Sequence, residues 1–83
     1  MSSIPRIDTD GSGLEGRYAN FLQVGHNAFE VVFDFGQQYP DAQSPTLHTR
    51  IVTHPAYLKA FLVVLADAVD AYQRSFGELP DSD

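Results

Sequence analysis

The chain has 83 residues, of which 43% are hydrophobic and 12% aromatic, so it fits one small globular domain better than a disordered segment. Its eleven acidic residues outnumber its five basic ones, and the net charge of −6 argues against nucleic acid and anionic membranes as direct partners. The absence of cysteine excludes a disulfide framework and a thiolate metal site. The N-terminus has no apolar run typical of a signal peptide, so we expect a cytoplasmic protein.

Residues 1–16 are rich in glycine and polar residues and predict a flexible arm. Gly11, Gly13 and Gly16 have the Gly-x-Gly-x-x-Gly spacing of a dinucleotide-binding loop. That loop requires a strand before it and a helix after it, whereas here a polar segment precedes it and a strand is predicted to follow. We therefore predict no nucleotide site and no other cofactor.

Three β-strands are predicted, at residues 18–24, 29–35 and 46–53. The second has the clearest pattern, because Phe29, Val31, Phe33 and Phe35 recur at every second position, as expected for a strand with one buried face. The short connection between the first two strands predicts a hairpin. Residues 36–45, with Gly36 at their start, predict a longer loop.

The third strand is predicted to carry Leu47 and Ile51 on one face. His48, Arg50 and Val52 then lie on the other face, because side chains alternate along a strand.

Antiparallel pairing of the second and third strands, with apolar faces aligned, would place Phe33 opposite Leu47 or Thr49. The same register places Asp34 on the face that carries Arg50. We therefore expect opposite charges to meet across the solvent side of the sheet.

Residues 55–76 predict one long helix. Pro55 suits the first helical position, and either His54 or Thr53 precedes it as a cap, Thr being the better cap chemically. Gly77 is typical of the residue after a helix. The whole prediction is an α+β domain over residues 17–79, a three-stranded antiparallel sheet followed by one long C-terminal helix (β-β-β-α), with an acidic tail at residues 80–83.

The predicted helix has more apolar surface than one small sheet covers. Two apolar stripes step along it by four and three residues. The first stripe consists of Leu58, Leu62, Leu65, Val69, Tyr72 and Phe76. The second stripe consists of Tyr57, Phe61, Val64, Ala68 and Ala71.

A second stripe left in water would expose on the order of several hundred Å² of apolar surface, which is unusual for so small a monomer. Covering it would contribute on the order of several kcal/mol. We therefore expect a homodimer that associates through these eleven residues, with the open sheet edges as a second route. The sequence leaves open which stripe faces the sheet.

Polar side chains form no catalytic or metal-binding pattern. His26, His48 and His54 lack the spacing of metal ligands, and turn, sheet and helix-start roles account for them. Asp70 and Arg74 are one helical turn apart and predict a surface ion pair. We predict no metal site, no catalytic residue and no enzymatic activity.

Several short blocks of the sequence follow a family pattern. They are Tyr18-Ala19-Asn20-Phe21, Glu30-Val31-Val32-Phe33-Asp34-Phe35-Gly36-Gln37, Arg50-Ile51-Val52 with Pro55, and Tyr72 with Phe76-Gly77-Glu78-Leu79. Over residues 17–79 the chain resembles a small prokaryotic family catalogued as domain of unknown function 3467. The resemblance implies no activity, substrate or catalytic residue.

The order of strands followed by a long helix is also similar to the subunits of SecB-type export chaperones, which have a larger sheet and pair their helices between subunits. That similarity concerns architecture alone. We predict a non-catalytic protein–protein interaction module or accessory subunit, either a homodimer or a part of a larger protein complex. The alternative is a small SecB-like chaperone that binds unfolded or exported chains.

Overall fold

The structure is a computed structural model that describes residues 13–82. Most of the predicted N-terminal arm, residues 1–12, and the last residue of the predicted acidic tail lie outside the described residues. Within the described chain one compact unit, Arg17–Ala60, contains the sheet, and a second unit contains residues 13–16 and 61–82. The organisation as a single domain over residues 17–79 stays a prediction.

The sheet consists of β1 (Phe21–His26), β2 (Val31–Gln37) and β3 (Thr46–Thr53). All pairings are antiparallel and the strand order is β1-β2-β3. A helix follows, so the predicted β-β-β-α fold is confirmed. The bounds of β3 are those predicted, whereas β1 and β2 lie two or three residues further along the chain than predicted.

The turn between β1 and β2 explains this displacement of β2. Asn27 Oδ1 accepts hydrogen bonds from the backbone N–H groups of Phe29 and Glu30, at 2.7 and 2.8 Å. An Asn side chain that bonds its own backbone two residues on is a typical turn device. Phe29 and Glu30 are the first two residues of the predicted strand. Because their N–H groups bond to Asn27, they are not available for pairing in the sheet, and β2 begins at Val31.

Asn20, just before β1, is held by the far end of β2. Its backbone N–H donates to the carbonyl oxygen of Gly36 at 3.0 Å. Its side-chain Oδ1 accepts from the N–H of Gln38 at 2.7 Å, and its Nδ2 donates to the Gln38 carbonyl oxygen at 3.3 Å. The side-chain amide of Asn20 thus forms both hydrogen bonds that the backbone of a neighbouring strand would form with Gln38. The pairing of β1 with β2 therefore continues one residue past Gln37.

A β-bulge in β3 corrects the predicted register. Phe35 pairs with Thr49 but the next residue, Gly36, pairs with Leu47, so His48 is an extra residue in β3. The bulge reverses the alternation of side chains on one side of it. Leu47 and Ile51 therefore lie on opposite faces, and the prediction that they share one was wrong.

The residue opposite Phe33 is Ile51, so the predicted partners Leu47 and Thr49 were also wrong. The predicted pairing of charges is confirmed, because Asp34 lies opposite Arg50. The alternation of side chains along β2 predicted the face of the charged residues correctly. Only the part of β3 that precedes the bulge, with Leu47, was assigned to the wrong face.

The two faces of the sheet differ in chemistry. Val24, Phe33 and Ile51 form a row across the apolar face. Val31 belongs to the same face and is the buried apolar residue among those the structure describes. The buried polar residue of the same described set is Asp34, on the opposite face.

The helical segment begins with a 3₁₀ turn at Pro55–Tyr57 and continues as the α-helix α1 (Leu58–Phe76). Pro55 occupies the first position, as predicted. The cap is His54, whose Nδ1 accepts from the N–H of Ala56 at 3.0 Å, so Thr53 was the wrong alternative. Thr53 still pairs with Val31 at the end of β3, which leaves the cap to the next residue.

Gly77 ends α1 as predicted. Its φ is +90° and its N–H donates to the carbonyl oxygen of Gln73 at 2.9 Å, which satisfies one of the terminal carbonyl groups of the helix. Within residues 13–82, no helix has the length and apolar character needed to cross a bilayer.

Candidate functional site

The surface of α1 carries the predicted interaction residues, and α1 has no buried residue. Leu62 and Leu65 expose 66% and 62% of their surface, and Phe76 exposes 75%. Exposure of single apolar residues is ordinary, but a run of large apolar side chains along one helix is typical of an interaction surface.

The first predicted stripe coincides with the full extent of α1. We call it the seam; it consists of Leu58, Leu62, Leu65, Val69, Tyr72 and Phe76. Leu58 is the first residue of α1 and Phe76 the last. At about 100° per residue, steps of four and three keep these six side chains within one narrow arc of the helix surface. All six are exposed.

The second predicted stripe is less regular. Tyr57, its first member, lies in the 3₁₀ turn, where three residues complete a turn, so its direction does not follow from the α-helical period. Ala71, its last member, is half-buried. The members between them, Phe61, Val64 and Ala68, are exposed. The seam is therefore the longer of two exposed apolar rows on α1, and all six of its residues lie within the regular α-helix.

The opposite side of α1 is charged. Asp70 and Arg74 form the predicted i,i+4 ion pair, with both side chains exposed. Such a pair stabilises an isolated helix slightly. Val63 lies on this charged side and is 57% exposed, which makes it a useful reference position for the seam.

The two aromatic residues of the seam contact one another. The ring centroids of Tyr72 and Phe76 lie 5.1 Å apart with an interplanar angle of 48°. Ring pairs at this separation attract beyond their area burial. The contact orients both rings at the C-terminal end of the seam.

The polar face of the sheet contains a side-chain cluster that crosses all three strands. Arg50 Nε donates to Asp34 Oδ1 at 2.7 Å and its second guanidinium nitrogen donates to Asp34 Oδ2 at 2.9 Å. Gln23 Nε2 donates to the same Oδ2 at 3.4 Å. The three residues are direct register neighbours, so the pairing of the strands positions them.

The cluster keeps the Asp34 carboxylate ionised. The side-chain hydrogen bonds from Arg50 lower the pKa of Asp34 below its ordinary value, although burial acts in the opposite direction. The same pair raises the pKa of Arg50. The Asp34 side chain is only 8% exposed, so its charge is held in place by a bidentate partner.

Two open depressions flank this cluster, with volumes of about 400 and 350 Å³. Both are lined by Asp34 and Arg50, and the larger one is also lined by Gln23 and Glu30. Both carboxylate oxygens of Asp34 accept hydrogen bonds from Arg50, so the pair needs no ligand to complete its hydrogen bonding. This geometry indicates a structural role, in which the pair connects β2 to β3.

Two of the three histidines have structural partners in the sheet unit. His48 Nε2 donates to the carbonyl oxygen of Tyr18 at 2.9 Å, and its Nδ1 lies 2.7 Å from Thr49 Oγ1. Arg17 donates to the carbonyl oxygen of His48 at 3.2 Å. The residue inserted by the bulge therefore ties the segment before β1 to β3, and His54 is the helix cap described above.

The structure brings together only some of the residues that the sequence singled out. Asp34 and Arg50 meet, whereas His48 and His54 serve separate contacts. Gln23, the third member of the cluster, was not predicted from the sequence; its signal was its position opposite Asp34 in the hairpin of β1 and β2. No group of three or more His, Asp or Glu residues suited to a metal ion occurs within residues 13–82.

Comparison with known proteins places the chain in a family without a known activity. Residues 2–81 match the family described as "Protein of unknown function (DUF3467)". No curated protein and no solved structure matches the chain. The match covers nearly the whole sequence, including β1, β2, β3 and α1, and we conclude that this protein is a member of the DUF3467 family.

Proposed function

We propose that this protein is a non-catalytic interaction module, a cytoplasmic accessory subunit that self-associates through α1. The observation that carries the proposal is the seam, six apolar side chains that α1 presents to solvent in the single chain. Water contact with such a row is costly, and a second copy offers an identical apolar row to cover it.

The energetics favour a complex over an isolated chain. The seam offers on the order of several hundred Å² of apolar surface per copy, so two copies approach the roughly 1,000 Å² of a specific interface. At about 25 cal/mol per Å², its burial contributes several kcal/mol. Part of that gain offsets the lost rotational and translational freedom of association, so we expect a dimer that dissociates at low concentration.

The edges of the sheet provide a second route to association. β1 and β3 are the outer strands, and each has one edge without a neighbouring strand among the described residues. Such edges pair readily with another strand. Association through α1 and through an edge are compatible, and either would serve an accessory subunit within a larger protein complex.

A pair of neighbouring substitutions tests the role of α1. Leu62→Glu places a carboxylate on the seam, and Val63→Glu places the same group on the charged side of the same helix turn. The two variants have equal net charge and similar helix propensity. We expect Leu62→Glu to abolish self-association at concentrations where Val63→Glu retains it, as measured by sedimentation equilibrium.

Circular dichroism is the control for folding, since both variants should keep the wild-type spectrum. Equal loss of association in both variants would show that charge alone disfavours it. Retention in both would remove the seam from the interface and overturn the proposal.

A chaperone role is the second candidate. The apolar face of the sheet exposes Leu22, Val24 and Ile51 in addition to the seam, so exposed apolar surface occurs on both elements. Extended apolar surface is the feature that an unfolded chain would bind. This role predicts that the protein suppresses aggregation of a chemically denatured client at a near-stoichiometric ratio. Client aggregation that is unchanged by the protein would contradict a chaperone role and favour self-association as the role of these apolar surfaces.

A further inference from the structure

We propose that two copies pair their α1 helices antiparallel, related by a two-fold axis that passes near the middle of the seam. This inference rests on the proposed self-association and adds its geometry. Each seam residue then lies level with a different residue of the second copy: Leu58 with Phe76, Leu62 with Tyr72, and Leu65 with Val69. The second copy is thus the partner that the seam fits.

The spacing of the seam supports this arrangement. Its residues follow steps of four, three, four, three and four, and this series reads the same from either end of α1. A second helix that runs in the opposite direction therefore has its seam side chains at the same levels along the common axis. Antiparallel pairing aligns all six positions, from the first residue of α1 to the last, without a shift of register.

The sizes of the seam residues favour antiparallel over parallel pairing. In an antiparallel pair, each aromatic residue at the C-terminal end meets a leucine at the N-terminal end. In a parallel pair, Phe76 meets Phe76 and Tyr72 meets Tyr72, next to a layer in which Val69 meets Val69. Layers of such unequal width would separate the helices at one end, whereas mixed layers keep an even distance, as close packing requires.

The helix dipoles act in the same direction. Antiparallel pairing opposes the two dipoles, which attract in this orientation and repel when the helices are parallel.

The absence of native cysteine permits a direct test with single thiols. We suggest Leu58→Cys and Phe76→Cys as separate full-length variants, each treated with a short bismaleimide crosslinker alone and after mixing. In an antiparallel dimer the two equivalent thiols of either variant alone lie about 27 Å apart along the axis, too far for a short crosslinker, whereas position 58 of one copy lies level with position 76 of the other. Intact mass spectrometry distinguishes the mixed dimer from each homodimer.

Antiparallel pairing predicts a crosslinked mixed dimer and almost no crosslinking of either variant alone. Efficient crosslinking of Leu58→Cys with itself would indicate parallel helices and overturn the inference. A sample that sediments as a dimer but forms no crosslink in any mixture would also overturn it, while self-association would stand. A sample that sediments as a monomer would contradict the proposed function itself.

A size exchange provides a second readout that does not depend on thiols. Leu62→Tyr alone creates two Tyr–Tyr contacts in the antiparallel dimer and should weaken dimerisation roughly tenfold or more through overpacking. Adding Tyr72→Leu restores one tyrosine and one leucine at each contact and should recover most of the affinity. No recovery in the double variant would contradict the antiparallel register.

Discussion

At the scale of single residues, we expect a few polar contacts to contribute much of the stability of the sheet, because its apolar face is small. Asp34 is the buried polar residue of the described chain, and its two oxygens accept both hydrogen bonds from Arg50. Removal of one member of such a pair leaves hydrogen-bonding groups of the other without their partner, which is usually destabilising.

We predict that Asp34→Asn lowers the free energy of unfolding at neutral pH, because an amide cannot accept both hydrogen bonds from Arg50. The pKa of Asp34 lies below its ordinary value in the folded chain. Its stabilising contribution is therefore fully present above the unfolded-state pKa, about 3.9, and is lost as the pH falls through the lower folded-state value. Urea titrations at neutral pH and at about pH 3 measure both effects.

The control for Asp34→Asn is Asp70→Asn, which removes an ion pair that is exposed on both sides. We expect a much smaller change from it, because solvent screens surface pairs. A difference between wild type and Asp34→Asn that persists unchanged at acid pH would contradict the assigned role of the carboxylate charge.

A second prediction concerns two strand glycines in different surroundings. A Cβ at Gly36 would lie 2.9 Å from Leu47 Cα and closer still to the Thr46 carbonyl oxygen, whereas a Cβ at Gly25 would meet nothing. We expect Gly36→Ala to cost about 1–3 kcal/mol of unfolding free energy through backbone displacement. Gly25→Ala, the matched control, should be neutral or stabilising by up to about 1 kcal/mol. Thermal or chemical unfolding of both variants decides between these outcomes, and equal effects would argue against the close approach of β3 to Gly36.

At the scale of elements, the helix was predictable because its signals agree. Apolar periodicity, Pro55 at the start and Gly77 at the end all indicate the same segment, and the structure differs only in the 3₁₀ turn at Pro55–Tyr57. β3 was predictable for a similar reason. Its bounds follow from its β-branched residues, between the polar loop before it and Pro55 after it.

The strand registers were less predictable, because they depend on contacts between distant segments. Asn27 determines the start of β2 through two side-chain hydrogen bonds. The bulge at His48 is stabilised by the carbonyl oxygen of Tyr18, thirty residues earlier in the chain. No local pattern at residues 46–53 indicates that contact, so simple alternation placed Leu47 on the wrong face.

We predict that the end of α1 depends on the left-handed conformation of Gly77. Gly77→Ala should cost about 1–2 kcal/mol, because an L-residue with a Cβ is strained at positive φ. A Cβ added at residue 77 meets no atom within 4 Å, so the expected cost comes from backbone strain alone and not from a clash with a neighbouring residue.

Gly77→Asn is the matched comparison, since asparagine tolerates this region better than alanine. Its unfolding free energy, measured by urea denaturation, should fall between those of wild type and Gly77→Ala. An alanine variant as stable as wild type would contradict the assigned cap.

At the scale of the whole molecule, the apolar side chains exceed what the described chain buries. Val31 is the fully buried apolar side chain of residues 13–82, while six large apolar residues of α1 form an exposed row. The sequence predicted this surplus from the width of the apolar arc. It left open which of the two stripes faces the sheet.

The regular α-helix begins at Leu58 and not at Pro55. This difference of three residues removes Tyr57 from the α-helical period, whereas all six seam residues lie within α1. The boundary between the 3₁₀ turn and α1 follows from the cap at His54, a contact that residue preferences alone placed at Thr53.

Sedimentation equilibrium of the wild-type protein, from low to high micromolar concentration, tests self-association through α1 without any substitution. Self-association through α1 predicts an apparent mass that rises with concentration from the 9.2 kDa of one chain toward twice that value. An apparent mass that stays at one chain throughout this range would contradict the account.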